Sequence, residues 1–201
     1  MKASDTRPSV LEIQESLQSF DWTTLESPGK NKGTRGQMLE LALGVPNSSD
    51  LKDLVDGELK TYTFGQSIAC TQLLHCLPDV VNEVPFKDTK LGRKMEQTIY
   101  VGFSKKNEYQ ATVTLNKETH PEHYLHLEED YKYICSAITR ALQEKTQLAT
   151  ITGPNKLLQI RTKATKSVDG TYKPLVFNGH ELKDKGMAFY LCSQFGKHLL
   201  F

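Results

Sequence analysis

Apolar residues recur at spacings of three and four near the start of the chain, where Val10, Ile13, Leu17 and Phe20 predict a packing helix closed by the Ser27-Pro28-Gly29 breaker. A second helix is expected over residues 37–43, with Gly44 as its C-cap. Period two then takes over. Leu59 alternates with Glu58 and Lys60, which predicts a strand whose apolar side chain enters the core while acid and base share the other face. Residues 68–77 suit a strand or a helix, and Pro78 and Pro85 are expected to break whichever forms. An apolar strand over 98–103 follows, then a hairpin turn at Lys105-Lys106-Asn107 and a partner strand alternating through Tyr109, Ala111, Val113 and Leu115. With the strand of Glu58 and Lys60, these make a mixed sheet core.

Pro121 is placed to open a helix to about residue 145, with Leu127, Tyr131, Ile134, Ile138 and Leu142 as its buried stripe. Short strands return over 157–163 and 187–192. In the first, Leu158 and Ile160 take one face while Gln159, Arg161 and Lys163 take the other; an apolar C-terminal segment is expected to dock behind the second. This order of elements predicts an α/β (α+β) chain with a mixed sheet flanked by helices.

Composition narrows the class. At 201 residues the chain suits one domain with a proper core. No apolar run approaches the ~20 residues of a membrane helix, and MKASDTRPSV lacks the apolar centre of a signal peptide, so a cytoplasmic location is expected. Cys70, Cys76, Cys135 and Cys192 are scattered without a Cys-x-x-Cys pair, which favours free thiols over a zinc site. His120, His123 and His126 gather near a helix start without a carboxylate at ligand spacing, and solvated histidines are expected. A net charge of +1 gives no general attraction to nucleic acid, so such a partner must be met by local charge.

Local charge is present in three places. Residues 30–36, with Lys32, Gly33 and Arg35, form a basic glycine-bearing loop that opens onto a helix N-terminus; this suits a phosphate and equally suits a solvated linker. Lys87, Lys90, Arg93 and Lys94 form a second cluster. Between Glu144 and Asp169 no acid occurs while Lys145, Lys156, Arg161, Lys163 and Lys166 are basic, and cations at period two on a strand face can reach guanine edges or phosphates.

The candidate chemistry lies in the segment DLVDGELKTY. Asp53 can curl back through the turn-like Asp56-Gly57, with Leu54 and Val55 on the core side, so that its carboxylate meets that of Glu58. Two converging carboxylates suit a hard divalent cation, and the Lys60 ammonium can orient an attacking water or help deprotonate it. The pattern suggests metal-dependent phosphodiester hydrolysis; an ion-paired, solvated strand face is the plain alternative. Glu40 stands among Met38, Leu39, Leu41, Ala42 and Leu43, which places it at the edge of an apolar face or half-buried with a partner. A metal cluster with Asp53 and Glu58 would be such a partner.

Five segments in order resemble the MutH family of PD-(D/E)xK endonucleases, which contains a mismatch-repair nicking enzyme and GATC-cutting restriction enzymes. Lys32-Gly33-x-x-Gly36-Gln37-x-Leu39-Glu40 looks like the family's N-lobe motif, and Glu58-Leu59-Lys60-Thr61 looks like its Glu-Leu-Lys core. Arg93-Lys94-Met95 is similar to the segment carrying a further active-site lysine. Leu158-Gln159-Ile160-Arg161-x-Lys163-Ala164 and Phe189-Tyr190-Leu191 resemble two DNA-reading segments of the C-lobe. Two departures stand out. The family's first aspartate falls at Leu51 here, leaving Asp53 and its rival Asp50, and Cys192-Ser193-Gln194 replaces a lysine-rich stretch, so that the target can differ from GATC.

The resemblance implies a restriction-endonuclease-like fold in one domain over 1–201, with a catalytic N-lobe to about residue 115 and a DNA-reading C-lobe beyond it, bounding a cleft. It implies Mg²⁺, with Mn²⁺ able to substitute, held by Asp53 and Glu58, and by Glu40 through water. Lys60 and Lys94 would complete the catalytic set. Double-stranded DNA would be met by Lys32, Gly33, Arg35, Arg93, Arg161, Lys163 and Tyr190, the tyrosine sensing adenine methylation. The expected role is a type II restriction enzyme, monomer or dimer on DNA. The alternatives are a strand-specific mismatch-repair nickase activated by a MutL-type partner, and a catalytically silent DNA-binding module.

Overall fold

Helix α1 (Val10–Gln18) begins where Ser9 caps it: its side chain accepts from the Glu12 N–H, and the Glu12 carboxylate accepts from the Ser9 N–H in return. In the computed structural model, residues 6–25, 34–46, 50–146, 148–163, 175–177, 180–182 and 186–198 are described, with the backbone alone for 175–177, 180–182 and 196–198. The helix stops before Phe20, because Asp21 caps a separate 3₁₀ turn at Trp22–Thr24 by accepting from the Thr23 N–H. Phe20 therefore leaves the predicted stripe and packs on Trp22, which stacks on Tyr109 at 3.8 Å. The expected breaker at Ser27-Pro28-Gly29 lies outside the described residues.

Helix α2 (Thr34–Ala42) ends on Gly44, whose positive φ of 72° lets Val45 N–H return to the Glu40 carbonyl. Then come β1 (Glu58–Thr63), β2 (Ile68–Gln72), α3 (Leu73–Val81), α4 (Lys90–Met95), β3 (Gln97–Phe103) and β4 (Tyr109–Asn116). The segment that suited strand or helix is both in turn, and Pro78 sits inside α3 instead of ending it. Burial of Leu73, Cys76, Leu77 and Val80 outweighs the ~3 kcal/mol of an interior proline. Helix α5 (Pro121–Glu144) has the expected proline at its start and ends on Lys145 in the left-handed region. The last elements are β5 (Ile151–Thr152), β6 (Leu158–Thr162), β7 (Leu175–Phe177), β8 (His180–Leu182), β9 (Met187–Leu191) and α6 (Ser193–His198).

Among the described residues the strands form three sheets in a mixed α+β fold. In the first, β3 lies between β1, which runs parallel to it, and β4, which runs antiparallel. The second has the order β2-β9-β6-β5, and β7 pairs with β8 as a separate hairpin. The first sheet divides the core. Leu59, Ile99, Val101 and Phe103 face α1 and Leu39 of α2, while Tyr62, Tyr100 and Leu115 face a larger cluster shared with α3, α5 and the second sheet.

Two buried contacts fix the segments that carry the candidate site. A Cβ on Gly57 would run into Val10 Cγ2 and fall 2.9 Å from the Gln97 carbonyl, so only glycine lets the loop before β1 sit against α1 and β3. On α5, the fully buried Asp130 accepts from the N–H groups of Asn155, Leu157 and Leu158 at 2.7, 2.8 and 2.9 Å, holding the turn that launches β6. Among the described residues, no helix is long and apolar enough to cross a membrane.

Candidate active site

Strand β1 delivers Glu58 and Lys60 to one face, as their spacing requires, and the preceding loop returns Asp53 to meet them. Leu54 N–H closes that loop on the Gly57 carbonyl at 3.0 Å, and Asp53 N–H donates to Glu58 Oε2 at 3.1 Å. Leu54 is buried, but Val55 points outward and is 46% exposed, since its backbone is tied to the Pro8 carbonyl. The rival Asp50 lies away from this group; it pairs with Arg7 at 3.3 Å and is largely exposed.

Three segments converge on the Glu58 carboxylate. Lys60 Nζ approaches Glu58 Oε1 at 2.6 Å and Asp53 Oδ2 at 2.9 Å, so one ammonium bridges two carboxylates. Lys94, from α4, reaches the same Glu58 Oε1 at 2.7 Å. Glu58 is 1% exposed, and only strong pairing makes a carboxylate tolerable there. Burial pulls the Lys60 ammonium down, but the Glu58 and Asp53 carboxylates outweigh it and hold Lys60 above the ordinary lysine range. Lys60 is thus a fixed cation here, suited to orienting a nucleophile and poorly suited to removing its proton.

Glu40 joins the group through its field. Burial raises its carboxyl, Asp53 and Glu58 raise it further, and Lys60 opposes them. A half-buried acid beside two others makes the group a sink for added positive charge. Asp53 Oδ1 accepts no hydrogen bond among the described residues. Among those residues no group of three or more His, Cys, Asp or Glu side chains is placed to hold a metal ion. Two oxygen-donor side chains, Asp53 and Glu58, nevertheless suit Mg²⁺, which keeps several waters and is commonly held by one or two carboxylates. A cavity of ≈ 20 Å³ adjoins the cluster between Glu58, Lys60, Lys94 and Cys70, enough for one water molecule.

Strand β2 connects this cluster to a polar face of the second sheet. Cys70 lines the same cavity, its thiol pushed up to about 12 by burial, and the neighbouring Ala69 pairs with Tyr190 on β9. Tyr190 also pairs with Gln159 on β6, so both lie on one face, with Arg161 beside them. The Arg161 guanidinium stacks 4.8 Å over the Tyr190 ring. Ser67 Oγ accepts from both Gln159 and Arg161, at 3.1 and 3.2 Å. Sequence patterning did not single out Ser67, because a lone serine in a turn carries no signal of what it will meet.

The remaining expected residues are divided. Arg93 and Lys163 are exposed. Arg35 is turned inward instead of towards a ligand: it is 7% exposed, lies 4.4 Å over the Phe103 ring and donates to Thr63 and Asn107 at 2.9 and 3.2 Å. Its planar fork fits that niche, which explains how a cation in a basic stretch becomes part of the core edge. Lys32 and Gly33 lie outside the described residues. Another bonded set also escaped the sequence: Glu96 accepts from Lys52 and Lys117 at 3.2 and 2.7 Å, and Arg7 donates to the Lys52 carbonyl at 2.8 Å, so the residue before Asp53 is clamped from two sides. Comparison with models of known protein families gives no match, and comparison with curated proteins gives none.

Proposed function

We propose that this chain is a Mg²⁺-dependent, sequence-specific DNA endonuclease of the MutH-like kind, with a restriction-endonuclease-like fold whose two sheets bound a DNA cleft, acting as a type II restriction enzyme. The observation that carries the reading is the convergence of Asp53, Glu58, Lys60 and Lys94 from three separate segments into one bonded cluster, with Glu40 in its field. Asp53 and Glu58 would hold the Mg²⁺, with Glu40 acting through water, and the bound cation would supply Lewis-acid activation and charge neutralisation.

The chain's own residues do the rest. Lys60 orients the attacking water and, as a fixed ammonium, stabilises negative charge that builds on the phosphoryl oxygens. Lys94 neutralises the phosphate from the other side of Glu58. The Gln159, Arg161 and Tyr190 face, joined to the cluster through β2, meets base edges, and the stack on Tyr190 holds the Arg161 fork ready for bidentate contact. Lys163 and Arg93 supply phosphate contacts that position the duplex.

The test is cleavage of unmethylated and adenine-methylated plasmid by the purified chain with and without Mg²⁺. Discrete Mg²⁺-dependent ends that disappear in Lys60→Ala, while DNA binding persists, support the reading; normal cutting by Lys60→Ala removes Lys60 from the mechanism. Linear product without a helper protein fits restriction. Nicked circles that appear only with a MutL-type partner fit repair, and binding without any cutting fits a silent module.

A further inference from the structure

β4 is an outer edge of the three-stranded sheet. Lys117 N–H donates to the Glu96 carbonyl at 2.8 Å, continuing the register in which Leu115 opposes Thr98 and Val113 opposes Tyr100. Main-chain groups alternate in direction along an antiparallel strand, so Leu115 and Val113 bond to β3 while Thr112 and Thr114 turn their N–H and C=O outward. Among the described residues those outward groups have no main-chain partner. Native edges are guarded by charge, proline or brevity, yet β4 runs eight residues, YQATVTLN, with no charge and no proline. Its irregular register is confined to the Tyr109 end.

Beside the edge, α1 leaves a groove of ≈ 430 Å³ lined by Gln14, Leu17, Gln18, Tyr109, Thr112 and Thr114, again without charge. Among the described residues of the strand, the groove lining and the flanking turns, charge appears only beyond the strand ends. Lys105 and Lys106 are exposed before it, with Glu108 engaged by the Ser104 hydroxyl, and Glu118 is exposed after it, while Lys117 is committed to Glu96 at 2.7 Å.

The geometry points to a second copy of this chain as the occupant, with two β4 strands paired antiparallel across a two-fold axis. That pairing alone brings the Lys105-Lys106 end of each copy to the Glu118 end of the other, and an uncharged strand meets itself without repulsion. With Thr112 on the axis, Thr112 would exchange main-chain bonds with its own copy and Thr114 with Gln110, a register that sets Glu118 opposite Lys106. A two-fold perpendicular to the sheet keeps both α1 helices on one face and both Glu58–Lys60–Lys94 clusters on the other, on the order of 24 Å apart over five strand spacings. The pairing does not depend on the cleavage chemistry; where the nuclease reading holds, it supplies one centre for each DNA strand.

Sedimentation of the full chain at micromolar concentrations should give twice the 22.7 kDa of the monomer. Thr112→Pro, which removes an outward N–H that β3 does not use, should return it to monomer with unchanged circular dichroism. The combined Lys105→Glu and Lys106→Glu change, at exposed positions that do not threaten folding, should weaken the dimer several-fold, and adding Glu118→Lys should restore it. A wild-type monomer throughout the range overturns the proposal, as does a dimer indifferent to the charge reversal and its rescue. Cleavage assays read the other question separately, since a dimer that cuts nothing leaves the pairing standing and the nuclease reading fallen.

Discussion

Replacing both lysines of the cluster by methionine should destabilise the protein, and then replacing Glu58 by glutamine should restore most of the loss. The cost follows from burial. The Glu58 side chain is 2% exposed, and its Oε1 holds both ammonium groups at 2.6 and 2.7 Å. In Lys60→Met/Lys94→Met that carboxylate keeps one N–H, from Asp53, and no cation. Stranding a buried charge costs roughly 3–5 kcal/mol, whereas neutralising a whole buried ion group is neutral or even stabilising by ~1–4 kcal/mol. The partly exposed lysine ends, at 25% and 20%, place the expected loss near the lower figure. Denaturant midpoints of wild type, double variant and triple variant, compared at unchanged m, measure it. Under the proposed function, both variants should fail to cleave DNA. A triple variant as unstable as the double would refute the reasoning, because the cluster would then be holding the fold by its shape and not by its charge balance.

Asp130→Ala should remove roughly 3–5 kcal/mol of stability by unpairing three buried N–H groups and, under the proposed function, weaken DNA binding through β6; a denaturant midpoint near that of wild type would count against this account. Arg35→Ala should lower stability by about 2 kcal/mol through lost stacking and two lost hydrogen bonds, with lysine giving little rescue; a loss of DNA affinity at unchanged thermal midpoint would return Arg35 to the DNA surface. Burial and Asp53 raise the Glu40 carboxyl, so the native state keeps its proton to higher pH than the unfolded chain, whose value is ~4.3. Stability should therefore fall as pH rises from there through the raised native value, and Glu40→Gln should flatten that fall; superimposable pH profiles would contradict it.

Strand β1 was readable because its information is local. A two-residue spacing fixes which side chains share a face, and a buried Leu59 between Glu58 and Lys60 leaves no alternative register. The long helix with Pro121 at its start was equally plain, and so was the inward face of Leu158 and Ile160. Pro78 misled because proline reports a local cost while α3 is held by four buried side chains that belong to tertiary packing. Arg35 misled for the same reason: a basic loop suggests solvent, and only the arrival of Phe103 from a distant strand converts its guanidinium into packing. Asp130 lay within an apolar stripe and gave no sign of the turn 25 residues on that it would hold. The β7–β8 hairpin was not foreseen, since its short strands have too little alternation to stand out.

Strand β2 is where the two halves of the candidate site become one object. The chain leaves the first sheet at the end of β1, passes Ser67, whose hydroxyl is shared by Gln159 and Arg161, and enters the second sheet in β2 by pairing Ala69 with Tyr190. Its next residue, Cys70, faces the cavity under Lys60 and Lys94. The register of that strand shifts between Ala69 and Thr71, which places an irregularity at Cys70, between the Tyr190 pairing and the cavity under the lysines. Coupling between the two would need a physical element that both sites bias, and β2, which bonds to one and walls the other, is the element to test. Under the proposed function, base recognition and charge placement would both rest on these five residues of backbone.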